Sequence, residues 1–313
     1  MPIAGATVPL NTAEGEDKLT VTEKVTSAYF SDGATELSAG SILSESLSDG
    51  NEKYYFGISN SSTDTTAEFD VTYGHAKGSG SNTDSGNVKG ETEVIYKQLA
   101  SLLLPPTEVS GGFFISANKT TDSVPSNATL GSGTRDEQVF ALVARRSNMK
   151  DRLNKKNWTI VLSGSDGAGS KINPLHLTDD SNTTNPTATP VGDRYNIVSG
   201  SDGTVSGSGA SDRTYGFYYP DQGILLFSQQ ELSASIPGKS GSANGSAEAV
   251  NNEAVVFNTG SQMGFAVSTG SAQNFNSALR FINVLMSTGS NLKFRDEEDQ
   301  VSAQYFCRIK SGQ

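Results

Sequence analysis

The chain has 313 residues, 35% of them hydrophobic and only 18% charged, with a formal net charge of −11. That length and apolar content support a buried core and argue against a disordered chain. The acidic balance argues against nucleic-acid binding, which relies on clustered Lys and Arg to displace counterions.

Taken in chain order, residues 1–15 (MPIAGATVPLNTAEG) lack the basic start and apolar run of a signal peptide. Residues 19–29 are β-branched and aromatic and read as a strand, closed by the turn signal Ser31-Asp32-Gly33. Two further strands are expected at 53–60 and 66–73. In the second, Ala67, Phe69, Val71 and Tyr73 alternate with polar residues, as a strand with one buried face requires. A Gly/Ser-rich surface loop follows at 78–90. The clearest helix is 91–103, where Val94, Ile95, Gln98, Leu99, Leu102 and Leu103 form a stripe and Pro105-Pro106 ends it.

Gly111 to Ser116, Gln138 to Arg145 and Asn157 to Ser163 read as core strands, with Met149–Asn157 as a compact turn or short helix between the last two. The stretch 164–213 reads as loop-heavy, as does 233–252. Within it, Ser199-Gly200-Ser201-Asp202-Gly203 repeats the pentapeptide Ser163–Gly167, and each copy follows a strand. Both are read as turns in which Asp bonds the backbone and Gly takes positive φ. Tyr215 to Phe227 is the strongest hairpin signal, with Pro220 and Gly223 bounding a four-residue turn. A second helix is expected over 273–287. A last hairpin is expected to pair 292–295 with 301–310 across the acidic turn Asp296-Glu297-Glu298-Asp299.

The residues that could carry chemistry are few. A Ser/His/Asp triad must use His75 or His176, and neither is accompanied by a nucleophile elbow, so both are read as structural. The lone Cys307 cannot form an internal disulfide and is read as a small hydrophobe in a strand. His and Cys lack paired metal-ligand spacing. The acidic tetrad 296–299 lacks the alternating ligands and central Gly of a calcium loop, and is read as a solvated turn. The basic patch Arg145, Arg146, Lys150, Arg152, Lys155 and Lys156 is interrupted by Asp151, and is read as a solvated turn or a subunit contact. No phosphate or dinucleotide motif is present. No apolar stretch is long enough to span a bilayer as a helix. No catalytic residue, cofactor or metal is therefore expected.

Five uncommon words recur in order: Tyr73-Gly74-His75 leading to Gly-Ser-Gly-Ser at 78–81, the turn Met149–Trp158, Tyr195–Gly200, Tyr215–Gly223, and Phe294–Ile309. In these words, concentrated in 54–104, 138–227 and 275–310, the chain resembles a family of virion structural proteins of contractile-tailed phages, best represented in marine cyanobacterial phages. Where members of that family continue past the last strand to a segment ending Tyr-Ser-Asn-Asn-Pro, this chain stops at Ser311-Gly312-Gln313, a departure that bears on any contact made through that extension. The resemblance implies a baseplate or tail-associated place in the virion, with other virion proteins and copies of itself as partners. It supplies no catalytic residues.

The expectation is thus an α+β, β-rich fold of antiparallel sheets and hairpins, with two or three packing helices and long Gly/Ser-rich loops. Two packed lobes are expected, 1–108 ending in a helix and 109–313 with a late helix and terminal hairpin. The expected function is non-enzymatic assembly within a phage tail or baseplate. The alternatives are a capsid or neck decoration or connector protein, and a receptor- or glycan-binding tail module.

Overall fold

The computed structural model describes residues 17–29, 41–45, 55–59, 67–76, 91–115, 136, 138–165, 171–206, 214–229, 231–232, 278, 281–282, 285 and 292–306. Their elements are β1 (Asp17–Tyr29), β2 (Ser41–Glu45), β3 (Tyr55–Ser59), β4 (Ala67–His75), α1 (Glu91–Leu103), β5 (Gln138–Ala144), β6 (Arg152–Leu153) and β7 (Thr159–Ser165). There follow β8 (Lys171–Asp179), β9 (Thr187–Thr189), β10 (Gly192–Ser201), β11 (Thr204–Val205), β12 (Thr214–Tyr219), β13 (Ile224–Ser228), β14 (Leu292–Lys293) and β15 (Arg295–Phe306). The fold is β-rich and its strand pairs are antiparallel.

The larger sheet runs β14-β7-β8-β10-β12-β13-β5-β4-β3-β2, with β9 and β11 hairpinned onto β10. A smaller sheet is ordered β1-β15-β6. The expected lobe boundary near residue 108 interrupts neither. β4 lies before it and β5 after it, yet they pair from Phe69↔Ala144 to His75↔Gln138. β1 likewise pairs with β15 across almost the whole chain.

The middle of the large sheet is covered on both faces, which explains why β5 and β13 are continuous apolar runs rather than alternating ones. Val139, Ala141, Phe217, Tyr219, Ile224 and Leu226 face α1, meeting Tyr96, Leu99, Ala100 and Leu103. Phe140, Leu142, Tyr218, Leu225 and Phe227 point the other way, toward Trp158, Phe294 and Phe281. Trp158 is fully buried, stacked on Phe294 at 5.4 Å and edge-on to Tyr218 at 5.2 Å.

Helix α1 has the expected ends, but its buried stripe is turned from the expected one. Val94 and Leu102 are exposed at 44% and 46%, and Tyr96 joins Leu99, Ala100 and Leu103 inward. The cause is Tyr96, whose hydroxyl donates to the Asp136 carbonyl at 2.7 Å and accepts from the Phe113 amide at 3.0 Å. The helix also lies close to β4. A Cβ on Gly74 would stand 3.0 Å from the Tyr96 Cα and N. Replacing Gly74 by Ala therefore forces α1 to shift by a few tenths of an ångström, at a cost of about 1–3 kcal/mol. A urea midpoint unchanged from the parent would show that the helix yields freely.

Several expectations are corrected. Gly111–Ile115 is not a strand, because its amides are taken by Tyr96 and by Asp136, whose Oδ2 accepts from Ile115 at 2.6 Å. The loop-heavy stretch 164–213 contains, besides the strand expected ahead of the second pentapeptide (β10), the strands β8, β9 and β11. β8 was obscured by Pro174, which sits where the β7–β8 register slips between Leu162↔Leu175 and Gly164↔Ile172, the place a strand tolerates proline. The second pentapeptide does turn the chain. Asp202 (φ 47°) and Gly203 (φ 73°) link β10 to β11 in a two-residue hairpin, and the Gly203 amide donates to Thr178 Oγ1. The β12–β13 hairpin closes over Pro220–Gly223, with the Gly223 amide donating to the Pro220 carbonyl at 3.1 Å.

Of the expected helix 273–287, Ala278, Phe281, Ile282 and Leu285 are described, helical and buried, with Phe281 stacked on Phe140 at 5.0 Å. The rest of it lies outside the described residues, as do Cys307 and the expected loops 78–90 and 233–252.

Candidate functional site: a two-stranded ribbon and its charged root

The acidic tetrad does not form a turn. Asp296 to Asp299 are consecutive residues of β15, which pairs with β1 from Glu297↔Thr26 to Phe306↔Asp17. The expected terminal hairpin is therefore replaced by two separate partnerships, β15 with β1 and β14 with β7. Four acids in a row resemble a solvated turn locally. Here they are strand residues because their counter-charges arrive from far away in sequence.

Those counter-charges are the expected basic patch. Arg152 Nε donates to Glu297 Oε1 at 2.8 Å, its NH2 pairs with Asp299, and its NH1 lies 3.9 Å from Asp221 in the β12–β13 turn. Asn154 Nδ2 donates to Glu297 Oε2 at 2.7 Å, and Lys24 Nζ lies 3.4 Å from Oε1. Lys150 Nζ pairs with Glu298 at 2.8 Å, raising the ammonium pKa. Backbone bonds complete the clamp, from Asn154 N to the Arg295 carbonyl at 2.7 Å and from Leu153 N to the Pro220 carbonyl at 3.1 Å. Elsewhere in the patch, Arg145 forks onto Asp70 on β4, and Arg146 donates to the Asp151 carbonyl.

Burial at the root sets its electrostatics. Asp296 and Glu297 are buried, although their neighbours along β15 are progressively exposed. Burial, the largest influence on Glu297, pushes its carboxyl up. Hydrogen bonds and charge from Arg152, Lys24 and Asn154 outweigh that and hold it below the ordinary value. Asp299 is lowered by its hydrogen bond from Arg152, while burial raises Asp296.

Beyond this root no other strand joins the ribbon among the described residues. β6 touches β15 only at Asp296 and Glu297, so past Glu297 β15 pairs only with β1 among the described residues. Thr22, Glu23, Lys24 and residues 300–304 are exposed, with Val301 at 65%. By register one face carries Thr22, Lys24, Asp299 and Val301, and the other Val21, Glu23, Val25, Glu298, Gln300 and Ser302. A two-stranded ribbon open on both faces is marginal on its own, and its outer edges offer unpaired N–H and C=O groups.

The other candidates do not assemble. His75 is buried at the end of β4, edge-on to Tyr73 at 6.4 Å, whereas His176 is exposed on β8. β10, β12, β13 and β5 lie between their strands. Among the described residues no group of three or more His, Cys, Asp or Glu could hold a metal ion, and no helix is long and apolar enough to cross a membrane. Sequence reasoning missed the pairing of Arg152 with Glu297 and Asp299. The available signal was two opposite charge clusters in one chain, read separately.

No protein-family model, curated protein or solved structure matches the chain.

Proposed function

We propose that this protein is a non-enzymatic structural component of a tailed-phage virion, joining other virion proteins and copies of itself in the baseplate or tail. The observation that carries the reading is the β1–β15 ribbon, braced at one end by buried ion pairs and exposed on both faces beyond it. An arm of this form is stabilised by being covered. Strand addition along an open edge supplies backbone hydrogen bonds, and the side chains of each face supply selectivity. A stable contact buries about 800 Å² on each partner. The resemblance in Tyr73–Ser81, Met149–Trp158 and Tyr215–Gly223 supports the same assignment.

Substituting Val301 by Asp tests the arm. Val301 is 65% exposed, so the isolated chain changes stability by less than about 0.5 kcal/mol. Incorporation into particles falls sharply, read by mass spectrometry of purified virions from a complemented deletion. Full incorporation of the variant would remove the ribbon from the interface. Immunogold labelling of intact virions locates the chain: gold at the tail tip supports the proposal, and gold over the head or neck makes it a decoration or connector protein. Turnover in a glycan-release assay, lost on substituting one carboxylate, would overturn the non-enzymatic reading.

A further inference from the structure

On the α1 face of the large sheet, away from the ribbon root, Arg194 presents a physical anomaly. It is 7% exposed, yet its Nε has no hydrogen-bond partner and it forms no ion pair among the described residues. Its guanidinium lies over the Phe217 ring, 4.0 Å from the centroid. Beside it on β12 stands Tyr219, whose buried hydroxyl meets Arg194 in a loose hydrogen bond and has no other partner among the described residues. A buried cation without a carboxylate is costly, and chains normally pair it or replace it with an apolar residue. Among the described residues this fold does neither.

We propose that Arg194, floored by Phe217 and faced by Tyr219, is the receptor for a carboxylate that comes from outside the chain. The planar guanidinium fork matches a carboxylate bidentately, and the aromatic floor holds the fork in place without competing for its donors. The Tyr219 hydroxyl can donate a further bond. Burial pushes that phenol up to about 12, with the Arg194 charge opposing the shift, so it keeps its proton at neutral pH. Thr187, opposite Arg194 on β9, is exposed, as is Gln222, so an incoming carboxylate would approach past them. Glu108 raises the Tyr219 phenol as well and sets a like charge near the site, which favours a weak, reversible anion over a tight one. The carboxylate can be a small free anion or an Asp or Glu side chain of a neighbouring subunit.

The test is an acetate titration of the full chain labelled with 15N-arginine and 15N-tyrosine, following the Arg194 Hε and Tyr219 amide resonances against chloride at equal ionic strength. Saturable movement with a dissociation constant on the order of millimolar is expected. Arg194→Lys, read on the Tyr219 amide because the variant has no Arg194 Hε, weakens it about tenfold, because an ammonium cannot reproduce the fork. Arg194→Met abolishes it while raising the urea midpoint, since a buried unpaired charge is exchanged for an apolar side chain. If acetate leaves the resonance unmoved, or if Arg194→Met lowers the midpoint, the proposal is overturned. It falls too if Glu108→Gln alone moves the resonance and acetate does not, for then Glu108 is the counter-charge. In purified assemblies, a resonance already shifted and deaf to acetate identifies a subunit side chain as the source. One still responsive identifies a free anion.

Discussion

Replacing Arg152 by Ala lowers the unfolding free energy by about 3 kcal/mol, because it leaves Glu297 buried beside only Asn154 and the solvated end of Lys24. The guanidinium is the hub of the root. It reaches Glu297 and Asp299 on the ribbon and approaches Asp221 on the β12–β13 turn, so one truncation loosens the ribbon, leaving the backbone bonds and the Lys150–Glu298 pair to hold the root. Limited proteolysis then cuts within 295–306 at denaturant concentrations where the parent resists. Arg152→Lys recovers part of the loss, since a point charge cannot bridge two carboxylates as a planar fork does. Acidification has the same target. Glu297 is depressed in the fold, so its contribution is present above the unfolded carboxylate pKa and is lost as pH falls through the lower folded value. An Arg152→Ala midpoint equal to that of the parent would show that these ion pairs are solvent-screened ornaments.

Stability falls as pH rises from 4 to 7, by about 4 kcal/mol in the contribution of one carboxyl, Asp136. Burial raises its pKa from 3.8 to about 7, against hydrogen bonds from Ser228 and the Ile115 amide that pull it down, with Glu231 adding to the rise. The raised folded value gives the sign. The contribution is complete below the unfolded pKa, declines by about 1.4 kcal/mol per pH unit between the two values, and is gone above the folded one. Geometry explains why the site matters. Asp136 joins Gly111–Ile115 to β13 through Ile115 and Ser228, and its carbonyl holds Tyr96 of α1. Asp136→Asn keeps an oxygen for the Ile115 amide and has no charge to form. Urea midpoints of the variant are expected to lose this slope across pH 5 to 7, the difference from the parent growing with pH. Parallel profiles would mean that Asp136 is solvated and ionised throughout.

What could be read from sequence was what neighbours in sequence decide. Helix 91–103 is bounded by Pro105-Pro106, and the 214–228 hairpin by Pro220 and Gly223, so both announce themselves within a few residues. Trp158 and the β5 run were legible as core because their apolarity is intrinsic. What was hidden depended on partners far away. The tetrad at 296–299 takes its strand conformation from β1 and its neutralisation from Arg152 and Lys150. Tyr96 turns α1 by bonding Phe113 and Asp136, and no helical periodicity encodes that. Gly111–Ile115 had the composition of a strand and lost its ladder to side chains. In the candidate site, each charge cluster was visible and their meeting was not.

The pairing of residues 17–29 with 295–306 also dictates when the arm can exist during synthesis. A ribosome needs on the order of half a minute to travel between those two segments. Through that interval β1 lacks its β15 partner, while the hairpins of the large sheet can already close. A chain abandoned before residue 295 can bury much of the sheet core and still lack the ribbon. Such a fragment has β1 without β15 and therefore no arm. Under the proposed function, the closing strand would let only finished copies dock through the arm.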